Sequence, residues 1–476
     1  MNLVRTQLVL AAAIAAAGCA VTAPVAPHSP IAPPNAAPPA GAPPAATAPT
    51  VSVSYTLDDS PYNEAQRAYH VAQAQSRRVI VKGPDAAIDA AIDTGLVVMV
   101  RRLPVMDAAV LDVVGGDIDS ALARLRALPH VTHAEREGLA LVGLAPRWAV
   151  RVPASGGQAP EPATPAAVGG GSSPNDPRFS SQWAFGPIAA VSAWGAALTA
   201  ASTPVTIAIL DTGIDQDHED IDPTHTQDDQ RGRLWRDQDF TGSGTVDDRY
   251  GHGTHVAGIA AAATNNGVGI AGIVSNARLI NAKVIGDNGV GYDSAIAAGI
   301  RWAADQGAQI INMSFGQTTD STLVREAVAY AAGKGVLMVA AAGNEGKSVL
   351  RYPAAYPAVI AVGATTQPVI GRPERRADFS NFGLSWVDIA APGEGILSTL
   401  PNHDNTIKVK QYGTMNGTSM ATPMVAGGAA MLWTANGGDA ARVRARLEGK
   451  SDTTVGGSGT DWAHGRLNLD RALREP

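Results

Sequence analysis

The chain is poor in cysteine, aromatic side chains and charge. One cysteine, Cys19, stands among 476 residues, so an internal disulfide is excluded. Aromatic residues make up 5% of the chain and charged residues 17%, whereas 45% are hydrophobic. A chain of this length and composition can bury one large aliphatic core and a smaller second unit. The formal net charge of −7 argues against a nucleic-acid partner.

The apolar stretch near the N-terminus, residues 6–18, is too short to span a bilayer. It follows Arg5 and predicts a secretory signal. Cys19 comes directly after Ala16-Ala17-Gly18, which resembles a bacterial lipoprotein signal, although leucine is usual where Ala16 stands. The resemblance implies lipidation of Cys19 and an exported protein anchored in the cell envelope. An ordinary signal with small residues before its cut site, and hence an extracellular protein, is the alternative.

Two segments of low complexity divide the rest of the chain. Residues 19–50 are almost entirely alanine and proline, and residues 146–173 are rich in glycine, proline, alanine and serine. Neither composition can bury enough apolar surface to order itself, so we expect a semi-extended tether and a linker. The predicted organisation is a signal at 1–18, the tether, a small unit at 51–145, the linker and a large domain at 174–476.

The large domain contains the three parts of an activated serine. Asp211 follows a short apolar run, residues 205–210, that predicts a buried strand. His252 lies in a glycine-flanked turn before a small-residue helix, and Ser419 opens a helical run that carries Pro423 in its first turn. A serine hydroxyl needs a base to take its proton, and the base needs a carboxylate to hold its tautomer. The order Asp, His, Ser is one of the known orders of such a triad.

A fourth group is needed, because the tetrahedral intermediate of acyl transfer carries a negative oxygen. Residues 336–340 predict a strand, and Asn344 follows it after Ala341-Ala342-Gly343. A side-chain amide at the carboxyl end of a strand is a suitable oxyanion donor. The sequence therefore predicts Asn344 as the residue that stabilises the intermediate.

Six short motifs occur in order along the large domain. They are ILDTGID (209–215), GHGTHVAG (251–258), AAGN (341–344), YPAAYP (352–357), FSNFG (379–383) and NGTSMATP (416–423). With them the chain resembles the subtilisin-like (subtilase) serine endopeptidases. The resemblance implies an α/β fold with a doubly wound, mostly parallel sheet. It also implies Asp211, His252 and Ser419 as the triad, with Asn344 and the Ser419 backbone N–H as oxyanion donors. His255 belongs to the motif but is not the catalytic histidine.

The resemblance also assigns a peptide-binding edge. Ser314-Phe315-Gly316 matches the family's edge strand, where a substrate adds as a further strand through main-chain bonds. Ala341, Ala342 and Gly343 would line the first pocket, and Arg351 falls where the pocket floor is expected. One hypothesis is that Arg351 shrinks or charges the pocket and favours small or acidic side chains before the cut. The alternative is that Arg351 points into solvent.

A structural metal is a further implication of the resemblance. Asp220 and Asn266 fall where relatives bind Ca²⁺, with Gln182 as another oxygen ligand, and hard oxygen ligands suit that ion. A solvated loop is the alternative for most of the acidic residues in this region. No catalytic cofactor is expected. Met424 departs from the family, which commonly has histidine one turn after the serine, and this departure affects the expected rate more than the mechanism.

The unit at 51–145 resembles, in its last part, the inhibitor-like propeptide of these enzymes, especially over ALPHVTHAE (127–135). Its predicted elements are strands at 78–82, 95–100 and 110–114, a helix at 119–128 ended by Pro129, and a strand from Val131. The resemblance implies a small α+β propeptide domain that assists folding and blocks the cleft until it is cut near or within the linker. Residues 51–75 match nothing familiar.

Two other functions remain open on the sequence. Ser419 loosely imitates a nucleophile elbow, and Asp452 or Asp461 followed by His464 would satisfy the order of esterases and lipases. However, Ala421 replaces the second glycine of that motif, and the other motifs stay unexplained. A surface lipoprotein that binds proteins without cutting them is the second alternative. The main interpretation is a monomeric, self-maturing serine endopeptidase that acts on proteins or peptides and on its own propeptide.

Overall fold

The computed structural model describes residues 51–53, 61–142, 150–152, 173–197, 204–222 and 232–475. All of them belong to the second of two units into which the chain divides, Ala48–Pro476. The expected signal, Cys19, the tether and most of the linker lie outside the described residues. No helix within the described ranges is both long and apolar enough to cross a membrane.

The N-terminal part is a small antiparallel sheet with helices. Its elements are β1 (Val51–Val53), α1 (Pro61–Gln75), β2 (Arg78–Lys82), α2 (Asp85–Asp93), β3 (Val97–Leu103), β4 (Ala108–Val113), α3 (Ile118–Arg126), β5 (His133–Arg136), β6 (Leu139–Val142) and β7 (Val150–Val152). Four strands pair in the order β3-β4-β2-β5, and Leu122 and Leu125 of α3 pack with Val79 and Leu111 in a core of their own. The predicted strands and helix are present, with ends shifted by up to three residues.

The large domain is built on one parallel sheet. Its elements are α4 (Ala190–Ala197), β8 (Val205–Asp211), β9 (Leu234–Asp239), α5 (His252–Ala261), β10 (Ala277–Lys283), β11 (Val290–Tyr292), α6 (Asp293–Asp305), β12 (Ile310–Met313), β13 (Phe315–Gly316), α7 (Thr322–Gly333), β14 (Leu337–Ala341), β15 (Val359–Thr365), β16 (Ile389–Pro392), β17 (Ile396–Leu400), β18 (Gln411–Met415), α8 (Thr418–Trp433), α9 (Ala440–Gly449) and α10 (Leu469–Arg474). Seven strands lie in the order β16-β15-β14-β12-β8-β10-β9, and every residue of the central five, from β15 to β10 along this order, is buried or nearly so. Strands that are buried along almost their whole length are typical of a parallel sheet covered on both faces. The doubly wound α/β fold is confirmed.

The strand order reverses at β8. This strand pairs with β10 on one side and with β12 on the other, so the crevice at its carboxyl end is the topological switch point. Asp211 is the last residue of β8. Helices α5 and α8, which begin at His252 and Thr418, pack against each other and against the sheet. The fold thereby gathers three distant segments at the place where open α/β sheets bind ligands.

Two helices begin earlier than the sequence predicted. Helix α5 starts at His252 itself, and α8 starts at Thr418, which places Pro423 in its second turn rather than its first. Because proline has no N–H, the carbonyl four residues earlier, that of Ser419, lacks a helical partner. That carbonyl instead accepts the hydroxyl of Ser314 at 2.9 Å. The proline therefore allows the serine helix to bond to the predicted substrate-binding edge.

The N-terminal part and the large domain share a small sheet. Strand β6 pairs antiparallel with β11 on one side and with β13 on the other. Leu141 lies opposite both Val290 and Gly316, and Val142 lies opposite Phe315. The edge that the sequence assigned to substrate is therefore occupied by a strand of the chain's own N-terminal part.

Candidate active site

Asp211 and His252 meet as the sequence predicted. The Nδ1 of His252 lies 2.7 Å from Oδ1 of Asp211, and the two side chains are 0% and 1% exposed. A buried carboxylate on Nδ1 holds the tautomer that leaves Nε2 as the basic nitrogen. Helix α5 can approach β8 this closely because Gly253 has no side chain, since a Cβ there would lie 2.0 Å from the Gly213 carbonyl oxygen.

A buried carboxylate that sequence reasoning missed holds the loop before His252. Asp248 accepts the Thr212 hydroxyl at 2.8 Å and the Gly251 N–H at 2.7 Å on Oδ1, and the Thr254 N–H at 2.8 Å on Oδ2. It ties the end of β8 to the first turn of α5 and so fixes the imidazole. In the sequence Asp248 is one of several acidic residues in a polar loop, and nothing local distinguishes it from a solvated one.

Ser419 is the second residue of α8 and is fully buried. Its Oγ donates to the main-chain oxygen of Ser314 at 2.9 Å. The Nε2 of His252 is buried and makes no hydrogen bond within the described part of the chain. The structure thus pairs the base with its carboxylate, while the serine hydroxyl is bonded to the substrate-binding edge instead of the imidazole.

Asn344 lies at the carboxyl end of β14, beside the start of α8. Its Oδ1 accepts the Thr418 N–H at 2.9 Å and the Thr418 hydroxyl at 3.0 Å. The Gly343 N–H donates to the same hydroxyl at 3.1 Å. Because the amide oxygen is held by Thr418, the Nδ2 donor is directed to the opposite side of the planar amide. This arrangement fixes the orientation of a donor next to the N–H of Ser419.

A cavity of about 280 Å³ adjoins these residues. Its lining from the large domain consists of Phe315, Gly316, Thr318, Ala341, Gly343, Asn344, Glu345 and Arg351. Ala341 and Gly343 thus lie where the first pocket was expected. Ala342 does not join them, because its side chain packs in a separate apolar cluster with Val387 and Trp462.

Arg351 forms part of the cavity wall instead of extending into solvent. Its side chain is 18% exposed, and its Nη2 lies 2.7 Å from Oε1 of Glu345. Its Cγ lies 3.0 Å from where a Cβ on Gly343 would be, so the side chain rests against the pocket. Glu345, which sequence reasoning did not include, compensates the arginine's charge.

Two other residues that the sequence analysis named, His255 and Met424, are buried in the core. His255 is fully buried, its Nε2 contacts the Gly413 carbonyl oxygen at 3.1 Å, and burial lowers its pKa to about 3. An imidazole that stays neutral and bonds to the Gly413 carbonyl oxygen supports the packing of α5 on β18. Met424 is also fully buried, in the apolar core that α8 shares with Ile259 of α5.

The three residues expected at a calcium site surround one loop, residues 265–271. Asp220 is 0% exposed and accepts the Nδ2 of Asn266 at 2.9 Å, and burial raises its pKa to about 7. Gln182 makes a paired contact with the backbone of Ala271, whose N–H it accepts at 2.8 Å. Asp220 and Asn266 are therefore adjacent, whereas the amide oxygen of Gln182 is already used by the protein.

A second buried carboxylate belongs to the same loop. Asp176 is 4% exposed and accepts the N–H groups of Asn265 at 3.0 Å and Asn266 at 3.1 Å. Its negative charge contributes to the raised pKa of Asp220. Asp220 and Asp176 are two buried carboxylates that contact one loop, and hard oxygen donors of this kind suit Ca²⁺.

The residues of the rival esterase assignment lie in ion pairs of their own. His464 is 3.5 Å from Glu448, Asp452 is 3.2 Å from Arg466, and Asp461 is 3.1 Å from Arg376. No contact among those described joins any of the three to Ser419.

Comparisons with known proteins agree with this geometry. The sequence model of the subtilase family matches residues 202–464. The chain is 41% identical to thermitase of Thermoactinomyces vulgaris over 304 residues, which are 63% of this chain and 99% of thermitase. It is 40% identical to the thermophilic serine proteinase of Bacillus sp. strain AK1 over 63% of this chain and 69% of that protein.

A solved structure shares the fold beyond the family domain. Fervidolysin of Fervidobacterium pennivorans, a keratinolytic enzyme related to subtilisin, superposes with a TM-score of 0.69 at 27% identity. The match covers 84% of this chain and 61% of fervidolysin, so this chain spans less than two thirds of that protein. The chain belongs to the subtilase family. It is a serine endopeptidase, a hydrolase with protein substrates.

Proposed function

We propose that Ser419, His252 and Asp211 form the catalytic triad of this endopeptidase. His252 Nε2 takes the hydroxyl proton of Ser419 as Oγ bonds to the substrate carbonyl carbon, and Asp211 stabilises the imidazolium. The imidazolium then protonates the leaving amine as the C–N bond breaks, and water hydrolyses the resulting acyl-enzyme. The observation that carries the proposal is the buried 2.7 Å contact between Asp211 and His252 at the switch point of the sheet.

Asn344 and the N–H of Ser419 stabilise the oxyanion. The support for this role is the fixed amide, whose oxygen is bound to Thr418 at 2.9 Å. A donor that needs no reorientation acts on the developing charge without a reorganisation cost. No residue of the triad needs a cofactor for these steps.

Residues 51–145 act as the propeptide that inhibits the enzyme. Strand β6 fills the peptide groove between β11 and β13. Glu135 accepts the Thr322 N–H at the start of α7 at 3.1 Å, and Glu137 accepts the Ser294 N–H near the start of α6 at 3.4 Å. Carboxylates are stabilising at helix N-termini, so both contacts support a docked and folded propeptide.

The enzyme cuts its own chain shortly after β6. Val142, the last described residue of β6, lies opposite Phe315, the neighbour of Ser314, and the carbonyl oxygen of Ser314 accepts the Ser419 hydroxyl. This register favours a cut at or just before the upstream end of the linker 146–173. N-terminal sequencing of the processed enzyme tests the proposal: a start near residue 144 supports it, and a start close to residue 174 contradicts it.

Small side chains are preferred in the first pocket. Arg351 lies along the pocket wall and narrows it, which favours small substrate side chains. Its charge is offset by Glu345 at 2.7 Å, so a preference for acidic side chains has less support. A peptide library profiled before and after Arg351→Gly tests this point. Wild-type preference for alanine and serine, broadened to larger residues in the variant, is expected; a wild-type preference for large aromatics would refute the proposal.

A Ca²⁺ ion stabilises the loop 265–271. Asp220 and Asp176 would hold the ion. Asn266 would join them if its side-chain amide rotated, because its Nδ2 now donates to Asp220. Gln182 does not bind the ion but supports the loop through its bond to Ala271. The ion would supply charge compensation for two buried carboxylates and takes no part in bond cleavage.

The protein is exported and anchored by a lipid on Cys19, the first residue of the tether 19–50. It acts as a monomer. The support is the sequence alone, since these residues lie outside the described part of the chain. A fatty-acid mass increment on the peptide that begins at Cys19 is expected in a bacterial host, and its loss in Cys19→Ser is the control. An unmodified Cys19 in the exported chain would favour an ordinary secretory signal.

The proposed mechanism is tested by casein hydrolysis with matched histidine variants. We expect Ser419→Ala and His252→Ala to lose activity, and His464→Ala to retain it. The reverse pattern for the two histidines would support the esterase assignment. If the wild type binds casein as well as the variants do but does not hydrolyse it, the result would support the non-catalytic lipoprotein.

A further inference from the structure

Helix α1 lies outside the antiparallel sheet of the N-terminal part and packs instead on β6 and β11, at the peptide groove. The residues of α1 that face the large domain recur at helical spacing. They are Ala65, Gln66, Tyr69, His70 and Gln73, of which the last four line the 280 Å³ cavity of the first pocket. One stripe of this helix therefore covers the pocket that the substrate side chain before the cut would enter.

The N-terminal half of α1 meets the wall beside the catalytic base. Ala65 is 2% exposed, and its Cβ lies 3.0 Å from where a Cβ on Gly289 would be. The ring of Tyr250 and the side chain of Val142 converge on the same point, at 3.0 and 3.1 Å. Tyr250 is fully buried and stands two residues before His252. This end of the helix thus packs at Gly289 beside β6 and beside Tyr250, in the loop that leads to His252.

The second half of α1 reaches the pocket wall. Tyr69 is half-buried, and burial raises the pKa of its hydroxyl while the positive charge of Arg351 opposes the rise. Tyr69 and Arg351 both line the cavity, so the ring lies over the pocket that Arg351 bounds. The helix therefore contacts the large domain on both sides of the strand that fills the groove.

The N-terminal extension also pairs with chain on the far side of the proposed cut. Strand β1 (Val51–Val53) is hydrogen bonded antiparallel to β7 (Val150–Val152), and β7 lies beside β18, the strand that leads to Ser419. A cut shortly after Val142 separates β6 from β7 covalently but leaves this pairing in place. The product would remain attached through β1 as well as β6.

We propose that helix α1 is a second inhibitory element, which keeps the groove and first pocket closed after the chain has been cut. This inference rests on the proposed triad and propeptide. The cut releases no side chain of α1 from the pocket, so the inhibition by α1 adds to that by β6. Peptide hydrolysis begins only when the segment that carries α1 dissociates or is degraded.

The test compares cutting and activity in the same samples of full-length protein. Wild type, Ala65→Arg, Tyr69→Ala and Val71→Arg are followed by intact mass and by hydrolysis of a short chromogenic peptide. Val71 is 52% exposed on the opposite side of α1, so Val71→Arg introduces the same charge without touching the groove. If Ala65→Arg does not fold, Tyr69→Ala serves as the groove-facing variant in its place.

We expect the cut to proceed at a similar rate in all four proteins. The interval between cut and full peptide hydrolysis should shorten several-fold in Ala65→Arg and Tyr69→Ala and stay unchanged in Val71→Arg. An unchanged interval in both groove-facing variants overturns the inference.

Absence of any cut in the wild type is a different failure, that of self-maturation. In that case the inference about α1 is tested by amide hydrogen exchange of residues 343–351. The exchange is compared between full-length Ser419→Ala and the double variant that also carries Tyr69→Ala. Faster exchange in the double variant supports the contact of α1 with the pocket, and equal exchange refutes it.

Discussion

At the scale of single residues, the site depends on positions where an ordinary side chain or N–H would prevent the contact. Gly253 allows α5 to approach within van der Waals distance of Gly213, and Pro423 frees the Ser419 carbonyl for the hydroxyl of Ser314. Asp248 then holds the loop before the imidazole by accepting hydrogen bonds from Thr212, Gly251 and Thr254. The side chains of the proposed triad are therefore placed by backbone geometry as well as by their own contacts.

Asn344→Ala tests the oxyanion role at this scale. In a subtilisin, loss of such an asparagine donor lowers turnover by about 10²–10³-fold, and we expect a similar loss in kcat here with little change in KM. Steady-state kinetics on a peptide substrate measure both. Asn436→Ala, whose amide only caps the end of α8 through the Leu432 carbonyl, is the control and should keep its kcat. Equal kcat in the two variants would exclude Asn344 from the oxyanion site.

Local motifs made most of the site predictable. Asp211, His252, Ser419 and Asn344 each stand in a short pattern whose chemistry can be read without the fold, and the fold places them at one edge of the sheet. Asp248, Asp176 and Glu345 carried no such signal. Asp176 bonds to residues about 90 positions away and Asp248 to Thr212, whereas Glu345 pairs with Arg351. Such contacts depend on the fold, and an acidic residue in a polar loop is usually solvated.

At the scale of elements, the docking of β6 buries acidic groups. Asp293, the first residue of α6, is 0% exposed and accepts the Gly138 N–H at 2.9 Å. Burial, with a contribution from the charge of Glu137, raises the pKa of Asp293 from 3.8 to about 7. Burial raises the pKa of Glu137 as well, against the nearby Arg78 and Arg101. The precursor therefore binds protons that the unfolded chain has already released.

The sign of the resulting pH dependence follows from these shifts. Between about pH 4 and pH 7 the unfolded chain ionises Asp293 first, so the free energy of unfolding of the precursor falls as pH rises. We expect the Tm of full-length Ser419→Ala to fall over this window and Asp293→Asn to reduce the fall. Asp119→Asn, at an exposed carboxylate, should leave the slope unchanged. A slope that is the same with and without Asp293 would contradict this account.

Elements without a clear hydrophobic pattern could not be placed in the fold from the sequence. Helix α1 carries few apolar residues, so its periodicity gave no reason to place it in the groove. Its position depends on β6 and β11, which pair across about 150 residues of chain. Strands β8 and β14 of the large sheet were predictable for the opposite reason, because each is a short run of mainly apolar residues.

At the scale of the whole molecule, stability cannot rely on disulfides, since the chain has one cysteine. We expect Ca²⁺ to contribute, by about 4 kcal/mol when its concentration is a thousand times the Kd. Thermal melts in Ca²⁺ and in a chelator measure the difference in Tm. Asp220→Asn and Asp176→Asn should remove it, and Asp237→Asn, at an exposed carboxylate of β9, should retain it. A wild-type Tm that is the same in both buffers would mean that the two buried carboxylates hold no cation.

The central claim is that Ser419 is a nucleophile activated by His252. The most direct measurement is the reaction of the mature enzyme with a fluorophosphonate, followed by peptide mapping of the adduct. We predict one adduct per chain, on Ser419. It is kept in His464→Ala, and it is lost in His252→Ala even after an added protease has removed the propeptide from that variant. An adduct on another serine, or one that persists at the wild-type rate in His252→Ala, would contradict the account.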